Sequence, residues 1–388
     1  MSPPRVAVVY DSFFPSTTGG GERVYRRLSE LLVDRGASVS FLTRRLWAAS
    51  EPPPASFDID GVWEGEIYDA RGARTTASAV LFAAAVYRRL RRNRAEFDIV
   101  IASALPVLTL IAARLALRGT LVWLVGDWLE VWSWSKWRRY AGPLSGTIAF
   151  VLQSVGARCA DLDTVNSSFT ATRLARRGAS STPLVLGLVD LGGEPPASIA
   201  ASRPPYILFV GRHIVDKRIG SLPAALAVAR SAVPDLRLIV AGDGPDTPSL
   251  VAELTRTGMS EFTELVGRVD DRQLSELLVG ASAVVNPSSR EGFGLVVAEA
   301  AAAGVPSVVV AGVDNAAVEL IDEGVNGVVA SSVDPEILGS AIVRAVKDRT
   351  MRQGSADWYR RERVSRGLGA SVDELLARYA DRSASRTR

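Results

Sequence analysis

Asn286-Pro287-Ser288-Ser289-Arg290-Glu291-Gly292-Phe293-Gly294-Leu295-Val296-Val297-Ala298-Glu299-Ala300 reads as a strand end, a loop with two glycines and the start of an Ala-rich helix. The strand ends at Val285 and the helix starts near Gly294. Glu291 lies before that helix and Glu299 inside it. A carboxylate before a helix is often only a cap. A second acid in so apolar a stretch needs a partner, because an unpaired buried carboxylate is costly. Vicinal hydroxyls of a sugar or ribose are natural partners, since a carboxylate accepts two hydrogen bonds, and the loop amides could hold a phosphate.

The same strand-helix alternation extends in both directions. Toward the N-terminus, short β-branched runs occur at residues 6–10, 39–42, 99–102 and 121–125, with a helical pattern over 22–35 carrying Val24, Leu28, Leu31 and Leu32 on one face. Residues 191–205 (LGGEPPASIAASRPP) have no period and read as a linker. Alternation then restarts, with strands at 206–210, 236–240, 283–285 and 307–310. Continuous apolar strands between helices argue for parallel sheets covered on both faces. The expectation is an α/β chain of two doubly wound Rossmann-like domains facing a cleft. Residues 1–190 are the expected N-terminal domain and 206–350 the expected C-terminal domain. A helical segment at 351–378 and a frayed polar tail at 379–388 follow.

Ligands in such sheets bind beyond the carboxyl ends of strands. After the first strand comes Gly19-Gly20-Gly21-Glu22, opening a helix. Glycine permits close backbone approach and a helix N-terminus favours anions, although a plain turn fits equally well. After the first strand of the second half comes Gly211-Arg212-His213-Ile214-Val215-Asp216-Lys217, in which Arg212 and Lys217 could pinch a diphosphate or simply sit on the surface. His213, the single histidine, could be a ligand, with packing or a backbone contact the favoured reading, and Gly242-Asp243-Gly244-Pro245 suits a tight turn.

Taken together, these residues resemble the retaining glycosyltransferases of family 4, the group 1 type with the two-domain GT-B fold. Glu291 and Glu299 fit the E-x7-E motif, and GRHIVDK (211–217) resembles the G-R-x-x-x-x-K element. VAGDGP, LVGRVDD and EGFGLVVAEAAAAGVPSVV match in order and spacing, and the N-terminal GGGERVYRRLSELLVDRGASVSFLTRR resembles the family's usual opening more loosely. The resemblance implies a nucleotide diphosphate sugar as donor and a hydroxyl of a glycan, lipid-linked or small-molecule acceptor. It implies retention of configuration, no obligatory cofactor or metal, and a C-terminal helix crossing back to the first domain. Residue by residue, Arg212 and Lys217 would bind the diphosphate and Glu291 would face the transferred sugar. Phe293, Gly294 and Leu295 would offer backbone near sugar and phosphate. Glu299 would hold the ribose, Arg268 would lie near the base, and Gly20 and Gly21 would approach from the N-terminal side. The sequence departs from the family at Gly126-Asp127, where many members carry a histidine followed by an acid, and at Leu186-Gly187-Leu188-Val189-Asp190, where Asn-Gly-Val-Asp is usual. Asp127 is the expected catalytic partner of Glu291, orienting or deprotonating the acceptor. A sugar-nucleotide epimerase of the same fold and a non-catalytic partner subunit are the rival readings.

Trp123, Trp128, Trp132, Trp134 and Trp137 crowd one window beside Lys136, Arg138 and Arg139. Trp128, Trp132, Trp134 and Trp137 make a candidate acceptor or membrane patch, against an ordinary packed helix. A formal charge of +3 gives no global case for nucleic acid, and 47% apolar residues exclude a disordered chain. The single cysteine, Cys159, fits a reducing compartment. No signal-like start and no span of about 18 apolar residues is present, so the expected location is the cytoplasm, with peripheral contact at the inner face of the membrane.

Overall fold

The computed structural model describes residues 3–17, 19–48, 51–67, 75–179, 181–187 and 202–387. The chain divides into two compact units, one made of Met1–Gly187 with Arg366–Arg388 and the other of Leu188–Ser365. Most of the expected linker, and Leu188-Val189-Asp190 before it, lie outside the described residues.

The first unit is built on β1 (Arg5–Val9), β2 (Ser38–Arg44), β3 (Asp58–Trp63), β4 (Ile99–Ser103), β5 (Trp123–Trp128), β6 (Leu162–Val165) and β7 (Leu184–Val185). They form one parallel sheet in the order β3-β2-β1-β4-β5-β6-β7. Between them run α1 (Gly20–Asp34), α2 (Thr76–Arg92), α3 (Val107–Ala116), α4 (Trp134–Ala141), α5 (Pro143–Gly156) and α6 (Ser168–Ala175). Every residue of β4, β5 and β6 is buried, which is why these strands read as unbroken apolar runs. Leu42, Phe82, Val86, Leu90, Val100, Leu110 and Leu124 form their shared core, each side chain contributing about 1.5–3 kcal/mol by leaving water. Of the expected α1 stripe, Leu28, Leu31 and Leu32 are buried, whereas Val24 is only half-buried and Tyr25 takes its place in the interior. The Arg-rich end of α2 is a surface feature: Arg89 pairs with Asp60 and Glu96, and Arg88, Arg91 and Arg92 are exposed.

The second unit repeats the design with β8 (Tyr206–Val210), α7 (Leu222–Ala232), β9 (Arg237–Ala241), α8 (Thr247–Thr257), β10 (Thr263–Gly267), α9 (Asp271–Gly280) and β11 (Ala283–Asn286). It continues through the short β12 (Arg290–Glu291), α10 (Leu295–Ala302), β13 (Ser307–Val310), the short β14 (Asp314–Asn315), β15 (Gly327–Ala330) and α11 (Pro335–Lys347). Its six-stranded parallel sheet has the order β10-β9-β8-β11-β13-β15. Chain order reverses between β8 and β11, so the loops leaving those two strands flank the position where such sheets bind ligands.

The C-terminal region is two helices. In α12 (Thr350–Arg366), Met351, Trp358 and Tyr359 pack into the second unit. Gly367 separates it from α13 (Leu368–Thr387), which belongs to the first unit. There Arg35 pairs with Asp373 at 2.9 Å, the Ser371 hydroxyl accepts from the Gly187 amide, and Tyr379 lies 6.0 Å from Trp123. The expected frayed tail at 379–388 is therefore corrected: α13 continues to Thr387, and Arg386 donates to the Leu121 carbonyl. No helix among the described residues is long and apolar enough to cross a membrane.

Two buried aspartates on adjacent strands of the first unit have opposite environments. Asp127 lies inside β5 at 2% exposure, and its two oxygens accept from the hydroxyls of Tyr25 on α1 and Thr164 on β6, both at 2.5 Å. Burial pushes its carboxyl up and the two hydroxyls pull it down. Asp163 on β6 accepts from the Trp128 indole at 2.8 Å through Oδ1, while its buried Oδ2 has no hydrogen-bond partner among the described residues. Burial, opposed by the Trp128 bond and reinforced by the charge of Asp127, pushes Asp163 up to about 6.

Removing the Tyr25 hydroxyl leaves an Asp127 oxygen unpaired in the interior, so Tyr25→Phe should lower stability by about 1–3 kcal/mol in denaturant titration. A native midpoint would mean that Asp127 needs no such partner. Asp163 has a folded-state pKa above its ordinary 3.8, so its contribution is full below that value and is lost as pH rises through about 6. Asp163→Asn keeps an acceptor for Trp128 and removes the buried charge. It should raise the melting temperature at pH 8, by up to about 3 kcal/mol of stability, and do little at pH 4. Equal effects at both pH values would contradict the assignment.

Candidate active site

The second unit gathers the chemistry-bearing residues where β8 and β11 end. After β8 the chain passes Arg212 and His213 and makes a short 3-10 turn, Val215–Lys217. After β11 it passes Ser288 and Ser289 and enters β12, which pairs with β14. Asn315 in β14 latches the loop by donating to the carbonyls of Ser288 and Val310.

Glu291 ends β12 and is the centre of this arrangement. Its Oε1 accepts from the Lys217 ammonium, from Asn286 Nδ2 at 3.0 Å and from the Ser288 hydroxyl at 2.9 Å. Among the described residues, Oε2 accepts no hydrogen bond. Burial raises the Glu291 carboxyl, but the charge and hydrogen bond of Lys217, with Asn286 and Ser288, outweigh it and hold the group below its ordinary 4.5. The group is therefore an anion at neutral pH, with three hydrogen bonds gathered on one oxygen and none on the other among the described residues. The stability this pairing contributes is complete above pH 4.5 and is lost as pH falls below it.

Further contacts bind the two loops to each other. Arg218, held at a positive φ of 47°, donates to the carbonyls of Pro287 and Ser288 at 2.7 and 2.9 Å. The Ser289 amide donates to the Asp216 carbonyl, and Arg290 pairs with the Asp216 carboxylate at 2.9 Å. Sequence reading missed Arg218 and Asn315. The only signal was their types, a long fork donor and an amide beside loops rich in carbonyls, and neither has a spacing rule.

Arg212 is exposed, and its guanidinium carries no hydrogen bond or ion pair among the described residues. His213 is a packing residue: it is 1% exposed, with Nδ1 at 2.7 Å from the Thr247 hydroxyl. Burial lowers its pKa against the pull of Asp243 and Asp246. Gly294 has φ of 99° and precedes α10, and a Cβ there would stand 2.6 Å from that of Ala317, so this turn requires glycine. Phe293 packs beside Val297, Trp358 and Tyr359, Leu295 opens α10, and Glu299 sits half-buried in the second turn of that helix. Arg268 is exposed just past β10. No trio of His, Cys, Asp or Glu side chains among the described residues is placed to hold a metal.

Gly20 and Gly21 open α1 in the first unit, where Gly19 supplies no side-chain cap and a Cβ on Gly21 would meet the Tyr10 hydroxyl at 2.7 Å. Asp127, expected at a strand end facing the acceptor, lies near the end of β5 but is buried and tied to Tyr25 and Thr164. A Cβ at Gly126 would stand 2.9 Å from Asp163 Oδ1 and 3.0 Å from both Ala160 and Leu110, so this packing has no room for a histidine there.

The tryptophan patch is also corrected. Trp128 is 1% exposed and is a core residue, and Trp132 is buried at 9%. Trp137 is half-buried and donates to Gln153 at 3.1 Å; Trp134 is exposed. Short range in sequence did not mean one surface, because strand and helix positions send neighbouring side chains to opposite faces.

Comparison with known proteins identifies the family and the fold. Residues 194–360 match the family described as Glycosyl transferases group 1, and residues 18–186 match Glycosyltransferase Family 4. The chain is 28% identical to a D-inositol 3-phosphate glycosyltransferase of Segniliparus rotundus, over 93% of this chain and 84% of that one. It is 30% identical to a glycogen synthase of Mycobacterium tuberculosis over 56% of this chain, a match that spans only about half (54%) of the relative's length. In structure it superposes on Anabaena HepE, solved with UDP and glucose, with a TM-score of 0.70 at 18% identity, covering 97% of this chain and 100% of that one. Two parallel α/β units of this order, both halves matched in turn, place the chain in the family 4, group 1 glycosyltransferases of the GT-B fold.

Proposed function

We propose that the chain transfers a sugar from a nucleoside diphosphate sugar to an acceptor hydroxyl, with retention of configuration. The observation that carries this reading is the Glu291 carboxylate, pinned through one oxygen by Lys217, Asn286 and Ser288 with its other oxygen open. Such a group is a fixed acceptor for sugar hydroxyls. The names of the relatives, a glycosyltransferase and a glycogen synthase, and the UDP and glucose held by a protein of this fold support the same chemistry.

On this reading Arg212 and Lys217 hold the donor diphosphate. Lys217 then touches both leaving group and Glu291, so its charge is shared between phosphate and carboxylate. As the glycosidic bond to phosphate breaks, negative charge builds on the departing diphosphate, and prepositioned cations and loop amides there stabilise the transition state most. Arg212 and Lys217 supply positive charge at that point without a metal. Glu299 accepts from the ribose hydroxyls, Arg268 lies toward the base, and the backbone at Phe293, Gly294 and Leu295 serves sugar and phosphate. The first unit takes the acceptor. Asp127 fixes α1 within the first unit, through Tyr25, and does not meet a substrate. Retention rests on the resemblance to the family.

Calorimetric titration with UDP, GDP and ADP, beside the matching nucleosides, separates these roles. Arg212→Ala should weaken diphosphate binding about tenfold or more and leave nucleoside binding unchanged, because only a charge-assisted bond to phosphate is lost. Glu299→Ala should weaken both ligands alike. Equal losses for Arg212→Ala with both ligands, or unchanged affinity in Glu299→Ala, would remove that residue from its assigned place. Glu291→Gln should keep diphosphate affinity and lower turnover at least about tenfold, roughly 1.4 kcal/mol of transition-state stabilisation. Native turnover in that variant would sink the role of the pinned carboxylate.

A further inference from the structure

Helices α4 and α5 form a hairpin whose outer face is exposed among the described residues. Leu144, Ile148, Val151 and Val155 on α5 recur at the spacing of one helix face, and their exposures are 75%, 52%, 54% and 47%. On α4, Trp134 and Tyr140 are 46% and 56% exposed. The stripe cannot turn inward, because the opposite face of α5 is already committed. A Cβ on Gly146 would fall 2.3 Å from the Trp137 carbonyl oxygen, so the two helices touch backbone to backbone there. Gln153 accepts from the Trp132 amide and the Trp137 indole and donates to the Trp132 carbonyl. Gly156 faces Val107, with a Cβ there at 2.3 Å.

Charge on this hairpin is one-sided. From Val131 to Ala160 the sequence holds no aspartate or glutamate, but it holds Lys136, Arg138, Arg139 and Arg158; the flanking Glu130 is taken up by the Trp132 indole. Four cations in that window exceed the +3 of the whole chain. Arg138 stacks over Trp134 at 4.5 Å, a pairing of cation and indole suited to the level of lipid headgroups. A protein surface would need matching acids around an apolar groove. A bilayer of anionic lipid meets both features at once, with headgroup charge for the cations and acyl chains for the stripe.

We propose that the α4–α5 hairpin is a docking face for an anionic bilayer, lying in the interface with the α5 stripe turned into the acyl region. This inference stands on the hairpin alone and does not depend on the transfer reading.

Flotation of the purified full chain with phosphatidylcholine vesicles, with and without phosphatidylglycerol, tests it. The wild type should float with the phosphatidylglycerol vesicles at low salt, less at high salt, and far less with phosphatidylcholine alone. Ile148→Gln with Val151→Gln should lower partitioning at least about tenfold by removing apolar burial. Arg139→Glu, at an exposed side chain, should lower it about fivefold or more. Circular dichroism and nucleoside diphosphate titration of the same variants should match wild type, which keeps a folding defect and a failure of the donor site distinguishable from a failure of docking. A wild type that stays at the bottom of the gradient, or a double variant that floats as well as wild type, overturns the proposal. So does a wild-type dimer in sedimentation equilibrium that ignores vesicles and becomes monomeric in the double variant, since a second copy would then own the face.

Discussion

An ammonium, an amide and a hydroxyl converge on one oxygen of Glu291, and this convergence sets the shape of the second unit's ligand face. Lys217 comes from the loop after β8 and Glu291 from the loop after β11, the two strands between which sheet order reverses. A parallel sheet delivers both loops to the same edge, but nothing in the sheet fixes their separation. The ion pair does, with Arg218 and Asp216 adding bonds between the same loops. Since one carboxylate oxygen is consumed in holding the loops, only the other remains for a ligand. A ligand that recruited Lys217 would draw on the same charge, which couples the conformation of the site to its occupancy.

The first unit solves a different problem with buried charge. Asp127 is satisfied by two hydroxyls and ties α1 to β5 and β6, while Asp163 leaves an oxygen without a partner among the described residues. A satisfied buried carboxylate specifies packing, and an unsatisfied one lowers stability wherever it ionises. The contrast places the structural duty on Asp127. It leaves Asp163 as a cost that Trp128 only partly offsets, through its single indole bond.

Much of this was legible in the sequence where the signal was periodic or local. Unbroken apolar runs gave the parallel strands, and two acids spaced around a glycine turn marked the loop after β11. The separation of Arg212 from Lys217 marked the loop after β8. What sequence could not show was direction. Asp127 was expected at the end of a strand, facing the acceptor, yet its side chain is buried and its two oxygens are taken by Tyr25 and Thr164. Trp128 and Trp134 looked like one patch, but a strand buries the first and a helix exposes the second. The polar C-terminus looked frayed because its apolar residues are few. Its anchors are instead Tyr379 against Trp123 and Arg386 on a carbonyl, pairings across hundreds of residues that no local pattern encodes. The α5 stripe was visible only as apolar character, and its outward orientation follows from Gly146, Gln153 and Gly156 facing in.

The central claim is that the carboxylate pinned by Lys217 serves a sugar leaving a nucleoside diphosphate with its configuration kept. The most direct measurement is proton NMR of the sugar produced when the protein is incubated with α-linked UDP- and GDP-sugars and a hydroxyl acceptor, or water alone. The account predicts that the α-anomer forms first and that its rate falls in Glu291→Gln. A β-anomer formed first would contradict retention, and a rate indifferent to Glu291→Gln would contradict the role assigned to the ion pair.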